Sequence, residues 1–253
     1  MRKTILALLL LCAATAVAAE DGALSLSPAV VMLRGDFGQS TTQILTLTNT
    51  TSRAFAFDLV AQDVVMNDGK RTFAEAGSIA GSIAATAVFS QKHVEVPPGD
   101  TVRVSMTVTL PPSTRQRAIV AMFRGTNRIL SGNVPMIASL GSLLTFQASE
   151  SIELGAAPLH VRPQSPTANL GVTQACSNKG SEPLVAKGVL AVIDEKGSLV
   201  GKSALEPKRL LPGESAEISG EYGGELDPGK YRVFVTYDYE GKTLTQSAEV
   251  EVR

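Results

Sequence analysis

The sequence predicts an all-β protein of two β-sandwiches in tandem behind a cleaved leader. Three observations predict it. Short β-rich runs alternate with turn residues and no amphipathic helix of useful length competes with them. A strand, Pro-Gly turn, strand register recurs in both halves of the chain. The 253 residues also exceed what one seven-stranded sandwich of about 100 residues uses.

The leader comes first. Arg2 and Lys3 precede an apolar run from Ile5 to Leu11 and a small-residue stretch from Ala13 to Ala19, with Ala16-Val17-Ala18 offering a cleavage point. Residues 1–19 therefore read as a secretory signal peptide. The apolar part is too short to span a bilayer, and no later segment is long and apolar enough, so no membrane insertion is expected.

Next, Ile44 to Thr48 reads as a strand running into the turn Asn49-Thr50-Thr51-Ser52. Asn67-Asp68-Gly69-Lys70 marks a hairpin. The Ala-rich stretch from Ala74 to Thr86 reads as a long loop. Val94 to Val96 leads through Pro97-Pro98-Gly99 into Val102, Val104, Met106 and Val108, which alternate with Arg103, Ser105, Thr107 and Thr109 as one buried face of a strand requires. Ala118 to Phe123 follows as an apolar strand. The first domain is thus assigned residues 20–155, a Pro-rich linker 156–168 (Pro158, Pro163, Pro166), and the second domain 169–253.

The second half repeats the pattern with Leu210-Leu211-Pro212-Gly213 leading into Ala216 to Ser219, then Tyr231 to Tyr237. Leu226-Asp227-Pro228-Gly229-Lys230-Tyr231 matches the tyrosine corner of immunoglobulin-like sandwiches, with Val233 where the disulfide cysteine of such domains would stand. Cys176, the single cysteine after the leader, reads as a buried small hydrophobe.

Composition narrows the function classes. Removing the leader takes away Arg2 and Lys3 but no acid, leaving 21 basic against 24 acidic residues, scattered in position, so neither nucleic acid nor an anionic membrane surface is indicated. With His93 and His160 as the only histidines, a zinc or Ser/His/Asp site lacks raw material. No catalytic residues, metal or cofactor are therefore expected. Asp58, Asp63 and Asp68 are too spread for a calcium loop and read as solvated strand-edge residues, and Arg34-Gly35-Asp36 reads as strand-to-turn punctuation.

Taken in order, these features resemble the periplasmic chaperones of pilus assembly, a chaperone/usher family of two immunoglobulin-like domains. The features that match are Ala23 to Leu33, Ile44 to Thr51, the Val94 to Gly99 strand and turn, Val102 to Val108, Arg115-Gln116-Arg117 before Ala118 to Phe123, and a long strand from Val134 to Phe146. The resemblance implies a periplasmic protein that lends an edge strand to an exported subunit, a pilin-like β-sandwich, with an outer-membrane usher and self-association through an edge strand as further partners. It places partner contacts on Val134, Met136, Ile137, Leu140 and Leu144. The donor row reads Pro135, Ile137, Ser139, and the opposite row Met136 with Leu140. The family's two basic anchors for the subunit carboxylate fall near Val30 and Leu144, neither of them basic, which leaves Arg34 and Arg124 as candidates. The alternative is a structural or binding module of the envelope with no subunit capture.

Overall fold

The computed structural model describes residues 22–112, 114–127, 129–131, 134–148 and 150–253, so the leader lies outside the described residues. The first sandwich comprises β1 (Leu24–Ser27), β2 (Val30–Arg34), β3 (Ser40–Asn49), β4 (Phe55–Asn67), β5 (Lys70–Glu75), β6 (Val88–Phe89), β7 (His93–Val96), β8 (Thr101–Thr109), β9 (Ala118–Gly125), β10 (Ile129–Ser131), β11 (Val134–Met136) and β12 (Ser139–Gln147). The second comprises β13 (Leu154–Ala156), β14 (His160–Arg162), β15 (Leu170–Asn178), β16 (Leu184–Asp194), β17 (Leu199–Ala204), β18 (Lys208–Leu210), β19 (Ser215–Tyr222), β20 (Gly229–Tyr239) and β21 (Lys242–Val252).

In the first sandwich one sheet runs β1-β3-β8-β6 and the other β2-β12-β9-β4-β5, with β7 also on β4. The alternating residues of β8 deliver Val104, Met106 and Val108 into a core shared with Leu45, Leu47, Phe57, Phe123 and Leu144. In the second sandwich β13, β14 and β19 all pair with β15, facing a sheet β17-β16-β20-β21. Both are immunoglobulin-like sandwiches.

The repeat goes deeper than the Pro-Gly turns. Asn49 ends β3 fully buried, its amide donating to the carbonyls of Arg53, Val96 and Pro97. Asn178 ends β15 in the same way, donating to Glu182 O and Leu210 O. Gly99 N donates to Asn49 O at 2.8 Å and Gly213 N to Asn178 O at 3.0 Å. Both glycines have positive φ, 80° and 76°, which a side chain would make costly. Tyr231 completes the tyrosine corner by donating to Asp227 O at 2.8 Å.

Two expectations are corrected here. The stretch 156–168 is not a linker, because β13 and β14 lie on either side of Pro158 and both pair with β15. Pro158 has no amide to give the ladder, so it interrupts a first strand rather than separating domains. Asp63 is not a solvated edge residue. It is fully buried on β4, accepting from Ser82 Oγ at 2.5 Å and from the Ile83 and Ala84 amides at 2.9 and 3.0 Å, so it pins the short 3₁₀ turn Ala84–Thr86 to the sheet.

The two sandwiches meet through polar contacts around a small apolar cluster in which Leu211 packs on Val64, Ala118 and Val120. Arg117, its side chain 2% exposed, lies 3.3 Å from Glu182 and 2.8 Å from Glu150, with Phe37 under its guanidinium. Glu182 also accepts from the Ala148 and Glu150 amides. Arg71 pairs with Glu214, and Arg34 with Glu240. Gln147 Nε2 reaches Pro183 O at 2.8 Å.

Candidate partner-binding edge

β12 has two neighbours over only part of its length. On one side β9 pairs with it antiparallel from Ser139 to Thr145. On the other side β2 joins, parallel, only from Leu143 onward. Leu143 N donates toward β2, to Ala29 O, whereas Phe146 N donates toward β9, to Arg117 O. Backbone polar groups alternate sides along a strand, so the N–H and C=O of Ser139 and Gly141 face the edge that β2 leaves open. An unpaired strand edge of this kind can accept another chain.

The expected strand from Val134 to Phe146 is broken. Val134 and Met136 lie on β11, which pairs with β10 in a separate two-stranded ribbon. The cause is local to Gly125 and the residues after it: Thr126 N donates to Ala56 O, Asn127 accepts from Ala56 N and donates to Ala54 O, and the chain leaves the β9–β12 ladder. A Cβ on Gly125 would collide with the Ala138 carbonyl, so glycine permits the break.

The anticipated contact residues divide. Ile137 is 54% exposed, beside the open edge. Leu140 packs against the first core and Leu144 is fully buried in it. These two belong to the inward row of β12, so they hold the strand in place and are not free to meet a partner. The outward row is Ser139, Gly141 and Leu143. Opposite them across β9 stand Arg124, Met122 and Val120, and beside Leu143 on β2 stands Val30, 46% exposed. The outer face is apolar but partly covered already, since Val120 is buried against Leu211 with Met122 and Leu143 packed on that cluster, and it has a notch at Gly141 where an added Cβ would meet Val120 at 3.0 Å and Met122 at 3.6 Å.

Of the two candidate cations, Arg124 is exposed at the far end of this face, in register with Ser139. Arg34 lies at the other end, its Nε donating to Gln147 Oε1 at 3.0 Å and its Nη2 to Glu240. The structure brings neither beside Val30. It instead brings Arg209, from β18 of the second sandwich, onto Thr145 at 3.1 Å. Burial first, and then the nearby Arg71 charge, hold the Arg209 guanidinium below its ordinary pKa, with Glu240 opposing. No sequence periodicity marks Arg209, because it reaches the edge from the other domain.

The remaining singled-out residues resolve simply. Asn49 spends its side-chain amide on three carbonyls. His93 Nδ1 lies 2.9 Å from Asp58, and among the described residues no group of three His, Cys, Asp or Glu side chains is placed to hold a metal. Cys176 is buried beside Tyr237, and burial raises both pKa values.

The fold and edge define a two-sandwich protein in which β12 is paired on both sides over only part of its length among the described residues. No family model matches the chain, and no curated protein matches it. Among solved structures it is similar to the class 5 fimbriae chaperone CfaA, at 13% identity and TM-score 0.47, covering 91% of this chain and 99% of that one. It is also similar to a structure of the CsuC-CsuE chaperone–tip adhesion subunit complex of Acinetobacter baumannii (9% identity, 89% and 98% covered, TM-score 0.44) and to the E. coli chaperone DraB (15%, 90% and 98%, TM-score 0.41). Likenesses this distant carry no argument about function.

Proposed function

We propose that this protein is a periplasmic chaperone-like protein that binds an exported, pilin-type subunit by pairing it with the open half of β12. The observation that carries the reading is the half-open edge itself: the Ser139 and Gly141 backbone groups face a lane that no described strand occupies, next to exposed Ile137 and a notch at Gly141. Backbone hydrogen bonds would supply general affinity, and burial of apolar side chains at that edge about 1.5 to 3 kcal/mol each. The leader motif in residues 1–19 supports export.

The test is a pull-down from the periplasm with the mature chain, repeated with Ile137→Asp and with Met136→Asp. Stoichiometric recovery of one small β-rich protein, lost in Ile137→Asp while that variant keeps its wild-type melting temperature, is the expected result. Recovery of the same partner from both variants, or of none from the wild type, refutes strand pairing. The alternative reading, a rigid envelope module, draws support from the three ion-paired contacts between the sandwiches. It predicts that neither substitution alters what is recovered.

A further inference from the structure

Among the residues whose side chains are described, the sulfur that solvent can approach lies on one face of one sheet. Met106 is buried in the first core and Cys176 in the second, 0% and 1% exposed. Met32 on β2, Met66 on β4 and Met122 on β9 are partly exposed. Met32 stands opposite Thr145, Met66 opposite Arg71 and Met122 opposite Gly141, which puts all three on the outer face of the sheet β2-β12-β9-β4-β5.

Two of them flank the joint between the sandwiches. Met66 and Met122 both pack on the apolar cluster in which Leu211 meets Val64, Ala118 and Val120. β4 and β9 run antiparallel, with Val60 opposite Met122 and Gln62 opposite Val120. Met122 therefore lies at the Val60 end of the cluster, and Met66 lies past Val64 at the other end. The two thioethers bracket the contact that Leu211 makes. Met122 can also be reached from outside: a Cβ built on exposed Gly141 would lie 3.6 Å from its Cε and 3.8 Å from its Sδ, so the sulfur end lies over a residue with no side chain to shield it.

A thioether turns from apolar to polar by gaining one atom. A peroxide delivers that oxygen to the sulfur lone pair, its O–O bond breaks and water leaves, so that sulfur is oxidised by two electrons and the peroxide is reduced. The S–O group then needs a hydrogen-bond donor, and the side chains of Val64, Ala118, Val120, Leu143 and Leu211 have none. The sulfoxide must draw water into the cluster or pull out of it. Export, as proposed above, also takes the chain away from the reducing pools of the cytosol.

We propose that Met66 and Met122 are reversible oxidation sites for a peroxide, and that their sulfoxides loosen the joint between the sandwiches. The effect requires no partner strand on β12.

The test treats the folded mature chain with limiting hydrogen peroxide, maps the added oxygen by peptide mass spectrometry and measures the urea midpoint of unfolding. It is run on the wild type and on the double substitution Met66→Leu with Met122→Leu, a volume-conserving change that apolar clusters tolerate. Met66 and Met122 should gain oxygen at least about tenfold faster than Met106. The midpoint of the oxidised wild type should fall, and should return after treatment with the two methionine sulfoxide reductases, one for each epimer. The double substitution should keep its midpoint through the same treatment. Oxidation of Met66 and Met122 no faster than Met106, an unchanged midpoint in wild type carrying both sulfoxides, or an equal fall in the double substitution overturns the proposal.

Discussion

Replacing Glu182 by alanine should loosen the joint between the sandwiches more than any surface substitution. The fully buried carboxylate serves the Arg117 Nε at 3.3 Å, the Ala148 amide at 3.0 Å and the Glu150 amide at 3.3 Å. Breaking a buried ion pair from one side costs about 3–5 kcal/mol, because the other charge stays buried without its partner. Each orphaned amide would add about 1–3 kcal/mol if it stayed dry. These losses are coupled and do not sum. Glu150, 43% exposed and 2.8 Å from Arg117, keeps part of the charge compensation, which places the expected loss near the lower bound, about 3 kcal/mol. Urea unfolding of the mature chain, followed by tyrosine fluorescence and by far-ultraviolet circular dichroism, measures it. In the double substitution Arg117→Met with Glu182→Leu, much of the loss should return, since no charge remains buried. A loss below about 1 kcal/mol for Glu182→Ala would refute the view that this pair is desolvated and holds the joint.

Three other outcomes follow. Asn49→Ala and Asn178→Ala should each cost about 2 kcal/mol, lowering Tm by about 4–8 °C, because each leaves buried carbonyls unpaired at equivalent places. Equal effects would show that the two turns are energetically as well as geometrically repeated. Leu211→Ala, which removes the second sandwich's contribution to the apolar cluster at the joint, should cost about 2–3 kcal/mol in the same urea assay. Stability should fall with alkaline pH. Burial raises the pKa of Tyr231 and Tyr237 in the folded chain, so the unfolded chain loses those protons first, and stability present below about pH 10 is lost above it. Tyr237→Phe should make that decline shallower by about 1.4 kcal/mol per pH unit, and an unchanged slope would contradict the burial argument.

The sequence carried what depends on local period and local turns. Val102 to Val108 could be read as a one-faced strand because alternation is a property of neighbouring residues, and β8 buries that face. Tyr231 could be read as a corner because Asp227 lies four residues before it. The break between Met136 and Ser139 escaped the same reasoning, since an apolar run looks continuous until Gly125, on another strand, lets the Ala138 carbonyl approach. Asp63 looked solvated because its partners, Ser82 to Ala84, are supplied by a distant loop. Prolines in 156–168 suggested a spacer, yet the gaps between β13, β14 and β15 absorb them. Glu182, Arg209 and Leu211 matter through contacts between domains, for which a strand pattern leaves no trace.

On the proposed function, β12 offers its Ser139–Gly141 edge to a partner strand. Residue-resolved amide exchange tests it most directly, because neighbouring amides face opposite ways. In the free chain, the Ser139 and Gly141 amides should exchange quickly while those of Leu140 and Ser142, turned toward β9, are protected. With the recovered partner bound, protection at Ser139 and Gly141 should rise about a hundredfold or more and Leu140 and Ser142 should change little. A partner that binds with Ser139 and Gly141 exchanging as fast as before does not pair with this edge, and strand donation by β12 would then be refuted.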